Sequence, residues 1–313
     1  MPSLKSIRRR IASVKNTQKI TRAMKMVAAA RLKRAQQRIV ELRPYALKTT
    51  EVLRSVAPPA APTPEAAADD DLHPLLKTRP VERVLYLIFT SDRGLAGAFN
   101  SSILRATDRA LREEDAAGRA VALALVGRKG RDYFKRRRLA QLRHDLVGAY
   151  EGGAQRAAEI ARTLIGDFTA DDRAQRVDRV VVVFNEFKSA IAQKVTFLQV
   201  LPIDPSPGTS SAGAATASEP QSPPPPKAEH LYEPSQAALL DRLLPMYVEV
   251  TVYRAMLESV ASEQGARMTA MDSATKNAKK IIDKLTLQYN RTRQAMITKE
   301  LMEIIGGAEA LKD

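Results

Sequence analysis

The segment from Leu257 to Met296 reads LESVASEQGARMTAMDSATKNAKKIIDKLTLQYNRTRQAM and contains no proline. Apolar residues recur through it and its flank at alternating steps of three and four, which is the spacing of a coiled-coil seam. The predicted seam positions are Leu240, Leu243, Tyr247, Val250, Leu257, Ala261, Met268, Met271, Ala278, Ile282, Leu285, Tyr289 and Met296. A helix over 236–305 would be about 100 Å long, so its own domain could not cover it and it requires a long partner helix.

The N-terminus supplies that partner. The same spacing runs there almost without interruption, over Leu4, Ile7, Ile11, Val14, Gln18, Thr21, Lys25, Ala28, Leu32, Ala35, Ile39, Leu42, Ala46, Thr49, Leu53 and Val56. Two long seams at opposite ends of one chain predict an antiparallel two-helix coiled coil formed by the N- and C-terminal helices.

The N-terminal seam changes character in one place. Its positions over 18–25 are polar, whereas Ile20, Met24 and Val27 form a second apolar stripe beside them. A displaced stripe indicates either a local change of winding or a face turned toward something other than the first partner. Further along, Pro44 should bend the helix or open one hydrogen bond, because proline has no backbone N–H.

Between the two helices, short apolar runs alternate with helical segments. Five strands are predicted, over 81–90, 120–126, 145–149, 177–185 and 194–201, and three helices, over 99–114, 128–138 and 153–168. The run VVVVF at 180–184 lacks polar alternation, as expected for a strand covered on both faces. The fifth strand partly alternates and follows a short link, which predicts an antiparallel edge. The middle is therefore predicted to be a Rossmann-like α/β domain of about five strands.

Composition divides the chain into five parts. They are an N-terminal coiled-coil helix at 1–57, a Pro/Ala-rich insert at 58–80, the α/β domain at 81–203, a Pro/Ser/Ala-rich insert at 204–230 and a C-terminal coiled-coil helix at 231–313. Closely spaced prolines remove backbone donors, so the first insert is predicted to be a surface loop or linker and the second to be disordered.

The positive charge is concentrated at the N-terminus. The whole chain has a net charge of +15, and residues 1–57 hold 15 Lys and Arg against two acids, whereas residues 231–313 hold 11 of each sign. This indicates either a solvated helix face or an acidic partner, which could be nucleic acid or carboxylate-rich protein loops. The chain contains no cysteine, which excludes disulfides, thiolate metal sites and thiol redox control.

No set of residues is arranged for catalysis. The loop DRGLAGAFN, residues 92–100, follows the first strand, where glycine-rich loops bind phosphates. It matches neither the dinucleotide fingerprint nor the P-loop, and it lacks the Lys-Ser/Thr pair that would hold phosphate and Mg²⁺. His73, His144 and His230 show no metal-ligand spacing. We therefore predict no catalytic residue, no metal site and no cofactor. The apolar runs are too short to cross a bilayer, and the N-terminus does not read as a secretory signal.

The last turns of the C-terminal helix read AMITKELMEII, residues 295–305, and are apolar around most of the helix circumference. A helix of this kind must be enclosed. Since the coiled coil offers only one partner helix, the enclosure is expected from other chains. The alternative is a frayed tail that ends at Gly306 and Gly307.

Three segments resemble the γ-subunit family of F-type ATP synthases. They are MKMVAAA at 24–30, SDRGL at 91–95, and the C-terminal run from SEQ at 262–264 into YNRTRQAMITKEL at 289–301. The resemblance implies a central rotor shaft that transmits torque between a proton-driven c-ring and catalytic β subunits, and that is not itself an enzyme. It implies α and β subunits as a hexamer around the shaft, an ε subunit and the c-ring as partners, with one copy per complex and no nucleic acid. The implied location is peripheral, on the cytoplasmic face of the bacterial plasma membrane, with membrane contact only through the complex.

The resemblance also implies functional residues. Met24 and Lys25 fall in a segment linked to coupling, and four residues near the C-terminus fall where the family meets the β subunits: Arg293, Gln294, Thr298 and Glu300. A basic face toward acidic β loops is implied for Arg8, Arg9, Arg10, Arg31, Lys33 and Arg34. The competing prediction is a basic coiled-coil nucleic-acid-binding protein, which explains the charge but gives the apolar tip and the α/β middle no purpose.

Overall fold

The computed structural model describes residues 3–56, 72–204 and 235–309. The chain divides into two compact units. Residues 1–30 with 267–313 form the first, called here the terminal pair, and residues 31–266 form the second, called the sheet unit. Helix α1 spans Leu4–Val56 and helix α5 spans Gln236–Glu309, so each helix contributes residues to both units. No helix in these described ranges is long and apolar enough to cross a membrane.

The terminal pair consists of the start of α1 and the last part of α5. The Arg8 guanidinium donates a hydrogen bond to the Tyr289 hydroxyl, and the Lys25 ammonium contacts Asp272, so residue numbers rise along one helix as they fall along the other. The pairing is therefore antiparallel, as predicted. The predicted positions of this unit are buried or half-buried except Met296, and the most buried are Ile7, Thr21, Ala28, Met271, Ala278 and Leu285.

Met296 is exposed because α5 extends beyond the start of α1, its partner helix. The contacts at Arg8 and Lys25 fix a register in which Leu4, the first residue of α1, lies opposite residue 293. Residues 294–309 of α5 therefore extend past the start of α1, over about 24 Å at 1.5 Å per residue. The prediction that the seam reaches Met296 is wrong for this reason.

The sheet unit contains a five-stranded sheet with strand order β3-β2-β1-β4-β5. Its elements are β1 (Arg83–Phe89), α2 (Phe99–Ala116), β2 (Ala120–Val126), α3 (Arg128–Lys135), β3 (Leu142–Asp145), α4 (Gly153–Thr169), β4 (Arg179–Phe187) and β5 (Gln193–Leu201). The first four strands in the order are parallel, and β5 is the predicted antiparallel edge.

The third strand was predicted in the wrong place. The apolar run LVGA that suggested a strand at 145–149 follows the strand instead, and Ala149–Gly152 forms a 3-10 turn. The strand itself reads LRHD and is paired on one side only, so three of its four residues are half-buried and the last is exposed. An edge strand needs little apolar character, and periodicity therefore did not detect it.

The two faces of the sheet pack against different helices. Along β1, Val84, Tyr86 and Ile88 belong to the apolar cluster that contains residues of α2. Leu85, Leu87 and Phe89 belong to the opposite cluster, which contains residues of α4 and of α5. The strand is thus buried on both sides, which is why its sequence has no polar alternation.

Within the sheet unit, α5 packs against the sheet as well as against α1. Leu244, Val248 and Val252 are fully buried although they lie off the predicted seam, and they pack into the cluster on the α4 side of the sheet. The same part of α5 also contacts α1, where the Tyr45 hydroxyl donates to the Met246 sulfur at 2.8 Å. The expectation that α5 carries only a narrow seam is therefore wrong for residues 240–266. Leu244, Val248 and Val252, each four residues from the next, form a second apolar face of α5 that covers the sheet.

Most of the two predicted inserts lies outside the described residues. The described end of the first insert, from Leu72 to Pro80, includes a 3-10 turn at Pro74–Leu76 whose Leu75 and Leu76 are buried in the sheet unit. This end of the insert therefore contributes to the core.

Candidate functional site

The polar interval of the terminal pair is made of five residues: Thr21, Lys25, Asp272, Thr275 and Lys276. The Thr275 hydroxyl donates to the Thr21 hydroxyl at 2.8 Å, and the Lys25 ammonium lies 2.5 Å from Oδ1 of Asp272. Lys276, one turn further along α5, lies 2.7 Å from Oδ2 of the same carboxylate. Thr21 and Lys25 of α1 are thus each matched by a polar side chain of α5, and the pairing continues through the interval in register.

Asp272 is the electrostatic centre of this interval. Hydrogen bonds from Lys25 and Lys276, and to a lesser extent their positive charges, lower the pKa of Asp272 to about 2, although burial acts in the opposite direction. The carboxylate therefore stays ionised throughout the neutral range. The three side chains are all partly exposed to water, so the ion pairs specify register more than they add stability.

A patch of apolar residues lies on α1 beside the polar interval. Ile20 and Val27 are more than half exposed, and so is Met26, whereas Met24 is half-buried. Because α1 is continuous here and keeps its register with α5, the displaced stripe is not a change of winding. It is a face turned away from the partner helix, and no described residue covers it.

The overhanging end of α5 is apolar and exposed on several sides. Leu301 is 53% exposed and Ile304 69%, and the other large exposed apolar side chains of this end are Met296, Ile297, Met302 and Ile305. Arg293, Gln294 and Glu300 are exposed on the same turns, and the Thr298 hydroxyl donates to the Gln294 carbonyl at 3.0 Å. Gln294, Thr298 and Glu300 therefore lie on the part of α5 that α1 does not reach, and Arg293 lies opposite the first residue of α1.

The residues of the predicted basic face are exposed, and one of them, Arg8, also bonds to α5. Arg9 and Arg10 are exposed, as are Arg31, Lys33 and Arg34. The Arg8 guanidinium donates to the Tyr289 hydroxyl at 2.7 Å and lies 5.6 Å from the centre of its ring. Lys25 is engaged with Asp272. Arg8 and Lys25 thus serve the helix pairing as well as the surface charge.

The carboxyl edge of the sheet, where α/β folds commonly bind ligands, is closed by α5. The Ser262 hydroxyl donates to the Asn185 carbonyl at 2.7 Å, and the Glu258 carboxylate accepts from the Phe187 amide at 2.9 Å. Tyr150 donates to the Thr90 carbonyl at 2.9 Å and lies 3.3 Å from the Ser259 hydroxyl. Burial raises the pKa of the Glu258 carboxyl and of the Tyr150 phenol. These polar side chains bond helix to sheet, and we call them the α5 anchor.

The glycine-rich loop that follows β1 is bound to its own chain. The Ser91 amide donates to the Asn100 side chain at 3.0 Å, and Asp92 accepts from the Arg128 amide at 2.9 Å. Arg93 and Leu95 are exposed, and Leu95 has a φ of 65°, which is unusual for a residue with a side chain. The Ser91 amide and the Asp92 carboxylate are therefore used in holding the loop.

In the described residues, no group of three or more acidic or histidine side chains could hold a metal ion. His144 pairs with Asp167 at 2.6 Å, and His73 lies 3.2 Å from Asp241. His230 lies outside the described residues. Each histidine that can be assessed thus has a single acidic neighbour.

Sequence reasoning missed the partners of Lys25 and the whole of the α5 anchor. Asp272 follows the seam position Met271, and Thr275 lies between Met271 and Ala278 at the seam spacing, so writing the antiparallel register onto the two seams would have placed them opposite Lys25 and Thr21. The anchor left a weaker signal. Glu258, Ser259 and Ser262 are polar residues inside an apolar helical pattern, which suggests buried polar bonding without giving the partners.

Comparison with known proteins finds relatives that match this chain over its whole length. A family model described as ATP synthase matches residues 3–311. The chain is 50% identical over 330 aligned residues to the ATP synthase gamma chain of Sorangium cellulosum, with all of both chains covered. It is also 50% identical over 312 residues to the ATP synthase gamma chain of Anaeromyxobacter sp. strain K, again with all of both chains covered.

Solved structures of ATP synthases also contain chains that are similar to this one. A chain of the central stalk and c-ring of the Tetrahymena thermophila mitochondrial ATP synthase is 26% identical, with a TM-score of 0.56, over 82% of this chain and 99% of that chain. A chain of the Euglena gracilis mitochondrial ATP synthase is 21% identical, with a TM-score of 0.66, over 98% of this chain and 94% of that chain. The second likeness concerns the fold alone. Nothing in these comparisons supports the nucleic-acid-binding alternative.

Proposed function

The chain belongs to the γ-chain family of ATP synthase, and from this membership we propose how its residues serve the central stalk. A γ chain is a non-catalytic subunit that transmits torque during ATP synthesis or hydrolysis. This agrees with a carboxyl edge at which α5 bonds to β4, and with a glycine-rich loop that is held by bonds from Ser91 and Asp92 to its own chain. The observation that carries the residue-level proposal is the exposed apolar end of α5, which extends beyond α1, its partner helix among the described residues.

The end of α5 is proposed to turn inside a sleeve formed by α and β subunits. Apolar contact is non-directional, so a surface of exposed Ile, Leu and Met side chains can be enclosed at many rotation angles without a preferred one. The polar residues on the same turns would then supply the angle-dependent contacts with β. They are Arg293, Gln294, Thr298 and Glu300.

The start of α1 is proposed to carry two further contacts. Exposed arginines and lysines would meet acidic loops of β through long-range attraction that does not require one fixed geometry. The residues are Arg8, Arg9, Arg10, Arg31, Lys33 and Arg34. Met24 and Lys25 are proposed to influence coupling, because they join the exposed apolar patch to the polar interval.

Torque is proposed to enter α5 through the sheet unit. Within the α5 anchor, Ser262 donates to the Asn185 carbonyl of β4 at 2.7 Å and Glu258 accepts from the Phe187 amide of β4 at 2.9 Å. Tyr150, which donates to the Thr90 carbonyl at 2.9 Å, lies 3.3 Å from the Ser259 hydroxyl of α5. Such bonds between buried groups resist twisting of the helix against the sheet. The partners proposed for the assembled complex are α and β subunits, an ε subunit and a c-ring, with one copy of this chain. The proposed location is peripheral, on the cytoplasmic face of the plasma membrane.

Copurification in moderate salt tests the role. Recovery of α, β and ε subunits with the tagged chain is expected, whereas recovery of DNA or RNA alone would contradict it. The residue-level proposal is tested separately by Arg293→Ala and Gln294→Ala in the reconstituted complex, with Arg109→Ala on α2 as the matched control. We expect the first two variants to assemble but to lose ATP synthesis, and the control to retain it. Equal activity in all three would refute the assigned contacts.

A further inference from the structure

A pocket lies at the opposite edge of the sheet from the α5 anchor. It has a volume of about 280 Å³ and opens at the amino ends of β1 and β4, where the chain passes from Asp178 into the sheet. Its charged lining residues are Arg79, Arg83, Arg173, Arg176, Glu82 and Asp178. Four arginines against two carboxylates leave an excess of two positive charges in one concavity.

The two carboxylates are already engaged. Oδ2 of Asp178 accepts hydrogen bonds from the backbone amides of Glu82 at 3.0 Å and of Arg83 at 2.9 Å. Oε1 of Glu82 accepts from Arg173 at 2.8 Å. The Arg83 guanidinium in turn donates to the Ala174 carbonyl. These bonds fold the 172–178 loop over the edge of the sheet. Arg79 donates from Nη2 to the Phe168 carbonyl at 3.0 Å and lies 4.5 Å from the centre of the Phe168 ring, so neither Arg79 nor Arg176 is hydrogen-bonded to a carboxylate of the described residues.

Arg79 and Arg176 are close enough to repel each other. Burial lowers the pKa of Arg79, the positive charge of Arg176 lowers it further, and Asp178 only partly offsets these effects. The Nε atoms of Arg79 and Arg176 are both buried, and neither has a hydrogen-bond partner within the described ranges. Two like charges in one concavity are unfavourable unless an anion joins them.

We propose that this pocket binds a small phosphate oxyanion. A tetrahedral dianion neutralises the excess charge of the site and presents enough acceptor oxygens for two guanidinium groups at once, which is the geometry that arginine recognises best. The pocket is far from large enough to enclose a macromolecular partner, and it suits a phosphate with a few waters. Neither the γ-chain role nor the contacts proposed for α1 and α5 are required for this site.

Calorimetric titration of the full chain with inorganic phosphate, at constant ionic strength, tests the proposal. Arg176→Gln removes the charge and the Nε donor at the position whose side chain makes no hydrogen bond or ion pair to another described residue. It should weaken phosphate binding at least about tenfold, as expected for a lost charged hydrogen bond. Arg109→Gln, which makes the same change on the exposed surface of α2, should leave binding unchanged. Equal weakening by both variants, or no binding by the parent chain, would overturn the proposal.

Thermal unfolding supplies a second readout that a purely structural arginine would not reproduce. Without phosphate, Arg176→Gln should unfold at the same temperature as the parent or higher, because the substitution removes repulsion with Arg79. With phosphate, only the parent and the Arg109→Gln control should gain stability. A variant that is less stable than the parent without phosphate would contradict the site. Replacing phosphate by ADP distinguishes the sources: tighter binding that still depends on Arg176 assigns the pocket to a nucleotide phosphate, and weaker binding assigns it to the free ion.

Discussion

The pairing of the two terminal helices is tested most cleanly by two leucines of α5 that lie two residues apart. Leu285 is 8% exposed and occupies the seam, whereas Leu287 is 72% exposed on the other side of the helix. Leu285→Ala removes three buried carbon atoms, each of which contributes about 0.8 kcal/mol. Because α1 is the one described helix that covers this site, the cavity can largely close, and the expected cost is about 2 to 3 kcal/mol, in the lower part of the range for this substitution. Leu287→Ala should cost less than about 0.5 kcal/mol.

Hydrogen exchange measured by mass spectrometry on the full, unassembled chain reports this locally. Peptides from 271–292 in the Leu285→Ala variant should exchange about 30-fold faster or more, since about 1.4 kcal/mol corresponds to a factor of ten. The same peptides in Leu287→Ala should match the parent. Equal acceleration in the two variants, or a larger effect from Leu287→Ala, would show that the helices do not pair through the assigned residues.

Three other predictions address the polar interval, the sheet unit and the chain end. Since the pKa of Asp272 in the folded chain is lowered to about 2, its ion pairs stabilise the terminal pair fully above the ordinary pKa of aspartate and lose this effect as the pH falls toward 2. In acid titrations, the difference in stability between the parent and Asp272→Asn should therefore shrink over that range. A constant difference would argue against these ion pairs. Gly127→Ala should destabilise the sheet unit by more than about 2 kcal/mol in urea unfolding, because φ is 93° and the added carbon would lie 2.0 Å from the Thr90 carbonyl oxygen; Gly118→Ala, with φ of 72° and open space, should cost only about 1 to 2 kcal/mol, and equal costs would refute the steric argument. Deleting residues 306–313 should preserve most ATP synthesis in the reconstituted complex, and a complete loss of assembly would show that the final residues are a required anchor.

The coiled coil was predictable because its signal is long and strictly periodic. All sixteen positions assigned to α1 are buried or half-buried, including Gln18 and Lys25, whose polarity obscured the pattern locally. Register, by contrast, could not be read from either seam alone. It depends on which residues face each other, and in this chain the pairing of Lys25 with Asp272 and of Thr21 with Thr275 shows it.

The sheet was predictable where strands are buried on both faces and unpredictable at its edge. β1, β2 and β4 are continuous apolar runs, and they were found within a few residues of their true bounds. β3 has one apolar residue in four, so the signal moved to the apolar run that follows it. The second face of α5 was missed for a different reason. Leu244, Val248 and Val252 fit a helical stripe only when a neighbouring sheet is already known to lie against them.

The candidate sites differ in the same way. The exposed apolar end of α5 could be anticipated, because a helix that is apolar on most sides has no stable place in water. The anchor and the arginine pocket could not be, because they are assembled from residues that are distant along the chain, such as Tyr150 with Ser259 and Arg79 with Arg176. Their chemistry arises from the topology of the sheet, which brings its strand ends together.

The central claim is that other subunits of the complex enclose the apolar end of α5. Because the chain contains no native cysteine, the exposure of this end can be measured directly by labelling an introduced thiol. Leu301→Cys introduces a single thiol at a position that is 53% exposed in the chain alone. A water-soluble maleimide should label it rapidly in the free chain and in the unfolded complex, and at least about a hundredfold more slowly in the assembled complex. Labelling of the assembled complex at the rate of the free chain would contradict the account.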